Sequence, residues 1–270
     1  MPRVIVTRPA SEAQRWVHEL AAQGFDAQCL ALIEIKPSGQ TAELERAWQQ
    51  LAAYAAVMFV SGNAATCFFA SAGALASAFG ALPGDKPRAW ATGPGTARAL
   101  LRAGVAPHCL DAPAADAGQF DSEALWRQVA AQVGAGARVL IVRGADVADS
   151  DSESAAQGSG RDWFAQQVAA AGGQAEFVVS YQRHAPTLDV SAQALAKQAA
   201  SDGSVWLFSS AQALANLRAV LPGQSWAGAR ALATHPRIAQ AARAAGFAVV
   251  FESRPTLADV VAALTQHFKT

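Results

Sequence analysis

At 270 residues, 52% of them hydrophobic, the chain has apolar material for two buried cores and falls outside the disordered class. Lys and Arg number 21, as do Asp and Glu, so no net charge recruits nucleic acid or an anionic membrane surface. Cys29, Cys67 and Cys109 are odd in number and widely separated, and the five histidines are scattered, which predicts a reducing compartment and no metal site.

No charged-then-apolar leader precedes the first strand, and the longest apolar run, 51–60, is too short for a bilayer; a soluble cytoplasmic protein is expected. Val4 to Val6 is a β-branched run typical of a strand buried on both faces. Thr7-Arg8-Pro9 turns out of it into a helix from about Ser11 to Gly24, with Trp16, Leu20 and Ala21 on one side. Ala27 to Leu32 reads as a second strand, and Ile33 to Pro37 continues extended up to a boundary at Pro37 and Gly39. Leu44, Trp48 and Leu51 mark an amphipathic helix leading into a strand from Ala56 to Val60. Ser61-Gly62-Asn63 then offers a hydroxyl and free amides at the next helix start. Trp90 and Ala91 feed the turn Thr92-Gly93-Pro94-Gly95-Thr96. Its glycines free the backbone, and Thr96 is placed to cap a helix that Gly104 closes.

From Val105 to Phe120 the chain reads as loop, and Asp121-Ser122 opens a helix carrying Leu125, Trp126 and Val129. Arg138 to Arg143 is a strand ending in Gly144. Segment 145–160 reads as a flexible insertion. Asp149, Asp151 and Glu153 alternate as calcium ligands do, but Ser154 and Gly160 stand where that loop needs Gly and Glu. A helix restarts at Gly160-Arg161-Asp162-Trp163 and ends at Gly172-Gly173. Phe177 to Val179 is extended and runs on through Ser180-Tyr181-Gln182-Arg183-His184-Ala185-Pro186. Strand–helix units starting at Val205, Ala231 and Val249 follow, the last helix opening at Pro255-Thr256.

These units repeat. Arg3-Val4-Ile5-Val6-Thr7-Arg8 matches Arg138-Val139-Leu140-Ile141-Val142-Arg143, and Val57 to Ser61 matches Val205 to Ser209. Ala91-Thr92-Gly93-Pro94 matches Ala233-Thr234-His235-Pro236, each followed by a helix closed by Gly104 or Gly246. The chain is an internal duplication. Strands alternating with helices at this spacing give an α/β fold with parallel sheets and helices on both faces, in which ligands bind beyond the carboxyl ends of the strands. Thr7, Ser61, Thr92, Arg143, Ser209, Thr234 and Ser253 lie there. No dinucleotide fingerprint, phosphate-binding Gly-Lys-Ser/Thr loop or Gly-x-Ser-x-Gly elbow is present. Capped helix starts favour anions, and two copies of them suit a ligand with many anionic groups better than a single FMN phosphate.

The order Val-Thr-Arg-Pro, strand-Ser-x-Asn-Ala, Thr-Gly-x-Gly-Thr-Ala, Asp-Ser-Glu-x-Leu, Leu-Ile-Val-Arg-Gly, Gly-Arg-Asp-Trp, Tyr-x-Arg and a late Pro-Thr resembles the uroporphyrinogen-III synthase family over essentially the whole chain. The resemblance implies an enzyme without cofactor, a lyase that closes the linear tetrapyrrole hydroxymethylbilane into a ring while inverting its last pyrrole. It implies two flavodoxin-like domains joined by two extended crossover strands, with the active site in the cleft between them. The first domain would be 1–36 plus 183–270 and the second 37–182, and a monomer is expected. His235 departs from the family's frequent glycine, and Arg237 replaces a small residue.

The family's tyrosine corresponds to Tyr181, and a phenol, ordinarily ionising near pH 10, is a neutral proton donor for departing hydroxide. Thr7, Arg8, Ser61, Gly95, Thr96, Arg143, Ser209 and Thr234 are the expected contacts to acetate and propionate groups, with Arg183 as further charge. Two other classes fit the same pattern: a two-lobed anion or tetrapyrrole sensor without turnover, and a flavodoxin-like FMN protein.

Overall fold

The computed structural model describes residues 2–39, 41–70, 75–114, 116–146 and 159–268. Its strands are β1 (Val4–Val6), β2 (Ala27–Cys29), β3 (Glu34–Pro37), β4 (Ala56–Phe59), β5 (Arg88–Ala91), β6 (Leu110–Asp111), β7 (Arg138–Asp146), β8 (Gln174–His184), β9 (Val205–Phe208), β10 (Arg230–Ala233) and β11 (Val249–Glu252). Its α-helices are α1 (Ala10–Ala22), α2 (Thr41–Gln49), α3 (Gly62–Ala70), α4 (Pro94–Arg102), α5 (Ser122–Val129), α6 (Ser159–Ala170), α7 (Val190–Ala199), α8 (Ala211–Val220), α9 (Pro236–Ala244) and α10 (Leu257–Phe268). Among the described residues no helix is long and apolar enough to cross a membrane.

The chain divides into two compact units, Met1–Glu34 with His184–Thr270, and Ile35–Arg183. It passes from one to the other twice, within β3 and near the end of β8. The first unit holds a five-stranded sheet in the order β11-β10-β9-β1-β2, parallel throughout. The second holds six strands in the order β3-β8-β7-β4-β5-β6, and β8 through β6 are parallel. With β1 matched to β7, β2 to β8, β9 to β4 and β10 to β5, both sheets have the flavodoxin order 2-1-3-4-5, and the second adds β3 at its edge. The duplication read in the sequence is thus built as two copies of one sheet, entered by the chain at different strands.

Burial on both faces explains the continuous apolar runs. In the first unit, Val4, Val6 and Leu207 pack on Trp16 and Leu20 of α1 and on Val260 and Leu264 of α10. Elsewhere in this unit Trp206 lies edge-on to Trp226, ring centroids 5.4 Å apart, and its indole donates to Ala199 O at 3.0 Å. In the second unit, Leu140, Val142, Val57 and Phe59 pack against Phe68 of α3 and Leu100 of α4. Met58, Ile141 and Val139 face the opposite way, onto Leu125 of α5 and Phe164 and Val168 of α6.

Several elements differ from expectation. The second strand stops at Cys29, because its partner β1 ends at Val6; Leu30 and Leu32 stay buried beyond it. Residues read as loop after Val105 include the edge strand β6, whose Asp111 carboxylate accepts two bonds from Arg88, at 2.6 and 2.9 Å. Helix α7 carries no strong apolar stripe, burying only Ala196 and Ala199, and Asp189 starts it by accepting from Ala192 N at 2.8 Å. Strand β7 runs two residues past Gly144, to Asp146. Most of the insertion read at 145–160, with the alternation of Asp149, Asp151 and Glu153, lies outside the described residues.

At the amino end of β7, Arg138 donates to Glu176 at 2.7 Å, and Tyr54 donates to the other carboxylate oxygen at 2.9 Å. The Arg138 bond holds the Glu176 carboxyl below the usual range. Burial, then the bond to Glu176, pushes the Tyr54 phenol up to about 12. A carboxyl depressed in the folded state adds stability that is complete above its unfolded pKa, about 4.3, and is lost as pH falls through the folded value. Glu176→Gln is therefore expected to be less stable than wild type by a constant margin above about pH 5, a margin that narrows below about pH 4. Urea unfolding across that range measures it, and a margin independent of pH contradicts the assignment.

Candidate functional site

In the sheet order found here the strand connections reverse direction between β1 and β9 in the first unit and between β7 and β4 in the second. Crevices open at the carboxyl ends of such pairs. Expected site residues lie at the carboxyl ends of these strands and of the neighbouring β5 and β10.

In the second unit Ser61 follows β4 and starts α3. Its Oγ accepts from Ala64 N at 3.1 Å and lies 3.2 Å from the Tyr181 hydroxyl. Tyr181 reaches it because β8 is irregular. Val142 pairs with Val178 and Arg143 with Val179, but Gly144 pairs with Tyr181, so Ser180 is an extra residue. Without it the two-residue alternation would turn Tyr181 away from α3. With it Tyr181 joins the side occupied by Leu140, Val142 and Phe68. The Ser180 hydroxyl fixes the irregularity, lying 3.1 Å from Ala64 O and 3.4 Å from Arg143 O. Gly144 makes room for the ring: a Cβ there would stand 2.3 Å from Tyr181 Cζ.

Two residues further along, Asp146 pairs with Arg183 and accepts from it at 2.7 and 3.0 Å. Burial weighs against the Arg183 charge, but the Asp146 bonds and the neighbouring Tyr181 hydroxyl outweigh it, so this guanidinium holds its proton more firmly than usual. Arg143 is buried, with its guanidinium over the Phe177 ring at 5.0 Å.

At the turn into α4 the structure revises one expectation. Pro94 takes the first helical position, so Gly93 is the capping residue and makes no side-chain bond. Thr96 lies inside the first turn, buried, its hydroxyl 3.5 Å from that of Thr92, which donates to Val60 O at 3.1 Å. A Cβ on Gly95 would meet nothing within 4 Å, so the backbone there is open to approach.

In the first unit Thr7 is buried and its hydroxyl donates to Leu207 O at 2.8 Å, tying β1 to β9. Arg8 pairs with Glu12 at 3.1 Å and stacks on Trp16 at 4.4 Å, so local partners already answer part of its charge. Thr234 is buried at the end of β10, with its amide donating to Phe208 O at 3.0 Å. His235, in the place of Gly93, caps α9 by accepting from Arg237 N at Nδ1, 3.1 Å. The departure from glycine thus exchanges an uncapped start for a capped one.

Strand register also shifts one correspondence. Val4 pairs with Val205 while its counterpart Val139 pairs with Ala56, which sets Ser210, not Ser209, in the place of Ser61. Ser210 is the residue that caps α8, accepting from Gln212 N at 3.1 Å. In the sequence two adjacent serines, Ser209 and Ser210, precede this alanine-rich helix, and only the strand register tells them apart.

A crowded glycine is testable. Gly144→Ala is expected to cost on the order of 1–3 kcal/mol through overpacking. The cost should largely vanish in a Tyr181→Leu background, which removes the ring. Urea unfolding of the four variants checks this; equal stability of Gly144→Ala and its parent contradicts the contact.

A family model described as uroporphyrinogen-III synthase HemD matches residues 14–262. Among solved structures, a uroporphyrinogen-III synthetase from Helicobacter pylori is similar at a TM-score of 0.56 and 13% identity, over 98% of each chain. A mutant uroporphyrinogen III synthase from the extremely thermophilic bacterium Thermus thermophilus is similar at a TM-score of 0.52 and 15% identity, over 95% of this chain and 94% of that one. At such identities the likeness shows a shared fold. Among curated protein sequences none matches.

Proposed function

The chain belongs to the uroporphyrinogen-III synthase family, enzymes of tetrapyrrole synthesis, and from that premise we propose that it closes hydroxymethylbilane into uroporphyrinogen III as a cyclising lyase, releasing water and inverting the last pyrrole. The family match over 14–262 carries this reading. Ring closure with loss of water changes no net oxidation state, so the proposal names no cofactor.

Closure breaks the carbon–oxygen bond of the hydroxymethyl group, and its oxygen leaves far more readily as water than as hydroxide. We assign the proton to the Tyr181 hydroxyl. In support, Ser61 Oγ takes a bond from Ala64 N yet keeps its own hydrogen, so Ser61 can accept from the phenol at rest and donate to the phenolate after transfer. Beside α3's amino end, negative charge on that oxygen is favoured.

The substrate's acetate and propionate groups are assigned to the strand ends of both units. In the second unit these are Ser61, the open backbone at Gly95, Thr96 and Arg143; in the first, Thr7, Arg8, Ser209, Thr234 and, by register, Ser210. Holding the last pyrrole against the reacting carbon supplies most of the rate, because orientation replaces an improbable encounter of the chain's two ends.

Incubated with hydroxymethylbilane, the purified protein is expected to give the type III isomer, and Tyr181→Phe to turn over on the order of 10²-fold more slowly with product affinity little changed. An isomer ratio equal to the enzyme-free control overturns the reaction, and a wild-type rate in Tyr181→Phe removes the hydroxyl from it.

A further inference from the structure

The irregularity at Ser180 aims more than the tyrosine. Beyond it the register holds, so Tyr181 and Arg183, two apart on β8, share a side of the sheet with Gly144 and Asp146, two apart on β7. Arg183 is fixed there by two short parallel bonds to Asp146, the bidentate geometry that orients a guanidinium plane. Arg143 on β7 lies instead over the Phe177 ring, and Arg8, after β1 in the first unit, over Trp16.

We propose that Arg183, held by Asp146, is a positioning residue for Tyr181 that stabilises the phenolate formed during ring closure. The inference rests on the proton-donor reading of Tyr181 and adds the group that makes that donation favourable. In the step concerned the carbon–oxygen bond breaks with its electron pair on oxygen, and the Tyr181 proton moves to that oxygen, giving water. The phenolate left behind faces Arg183 and Ser61. The proton lost from the attacking pyrrole carbon as the ring regains aromaticity restores the phenol. Asp146 has a separate task. It keeps the guanidinium beside the phenol and offsets its charge while Tyr181 is neutral, so the resting site carries no unanswered cation.

The test is a double-mutant cycle on the full chain with hydroxymethylbilane, reading kcat and KM separately in variants whose circular dichroism matches wild type. Arg183→Met is expected to lower kcat on the order of tenfold, the worth of one charge-assisted hydrogen bond, with KM little changed. Arg183→Lys, which keeps the charge but not the two parallel bonds to Asp146, should recover part of that loss. Arg183→Met combined with Tyr181→Phe should be no slower than Tyr181→Phe alone. Losses that multiply in the double variant, or a loss confined to KM, overturn the positioning role while leaving Tyr181 as donor. A wild-type rate in Tyr181→Phe overturns both. Should Arg183→Met not fold, Asp146→Asn takes its place in the cycle, with a smaller kcat loss that must likewise vanish when Tyr181 is Phe.

Discussion

Between Val179 and Tyr181, strand β8 carries one residue more than β7 has to pair with, and the chemistry assigned to the second unit depends on that mismatch. Side chains alternate strictly along a strand, so one inserted residue exchanges the two sides for everything after it. Ser180 absorbs the insertion with its hydroxyl bonded to Ala64 O of α3. Gly144 has to lack a side chain because the redirected ring lies against it. Ser61 is then in reach, and so is the Arg183–Asp146 pair one alternation further on. Six residues from three separate stretches of the chain become one arrangement.

The sheet beneath explains where that arrangement sits. Both units bury their central strands under two helix layers, which commits the strand interiors to apolar residues and leaves the carboxyl ends as the places where polar groups and helix amides converge. The two copies have diverged in how they close their helix starts. Gly93 leaves α4 uncapped with open backbone at Gly95, while His235 caps α9 and Arg237 occupies the matching position. One start presents bare amides; the other has spent one internally.

Much of this was legible in the chain. The duplication, the parallel α/β architecture and most helix limits followed from β-branched runs, capping residues and closing glycines such as Gly104 and Gly246. What escaped did so for physical reasons. Val57 to Val60 and Val205 to Phe208 are apolar throughout because both faces are buried, so no alternation fixes their relative register, and the sequence match at Ser209 gives way to Ser210 on strand pairing. The irregularity at Ser180 leaves no mark in an extended run whose residues suit either side. Helix α7 shows no apolar stripe in the sequence because its buried positions are alanines while Val190 is exposed. Thr96 reads as a cap because its hydroxyl stands near the turn, whereas nothing in the sequence marks the helix start at Pro94.

A crystal structure of this chain with uroporphyrinogen III bound tests the central claim most directly. The account predicts product carboxylates against the amides that open α3 and α4, near Ser61 and Gly95, with the Tyr181 hydroxyl beside the newly formed bridging carbon. Product bound away from the carboxyl ends of the strands, or a Tyr181 hydroxyl remote from that carbon and still committed to Ser61, would contradict it.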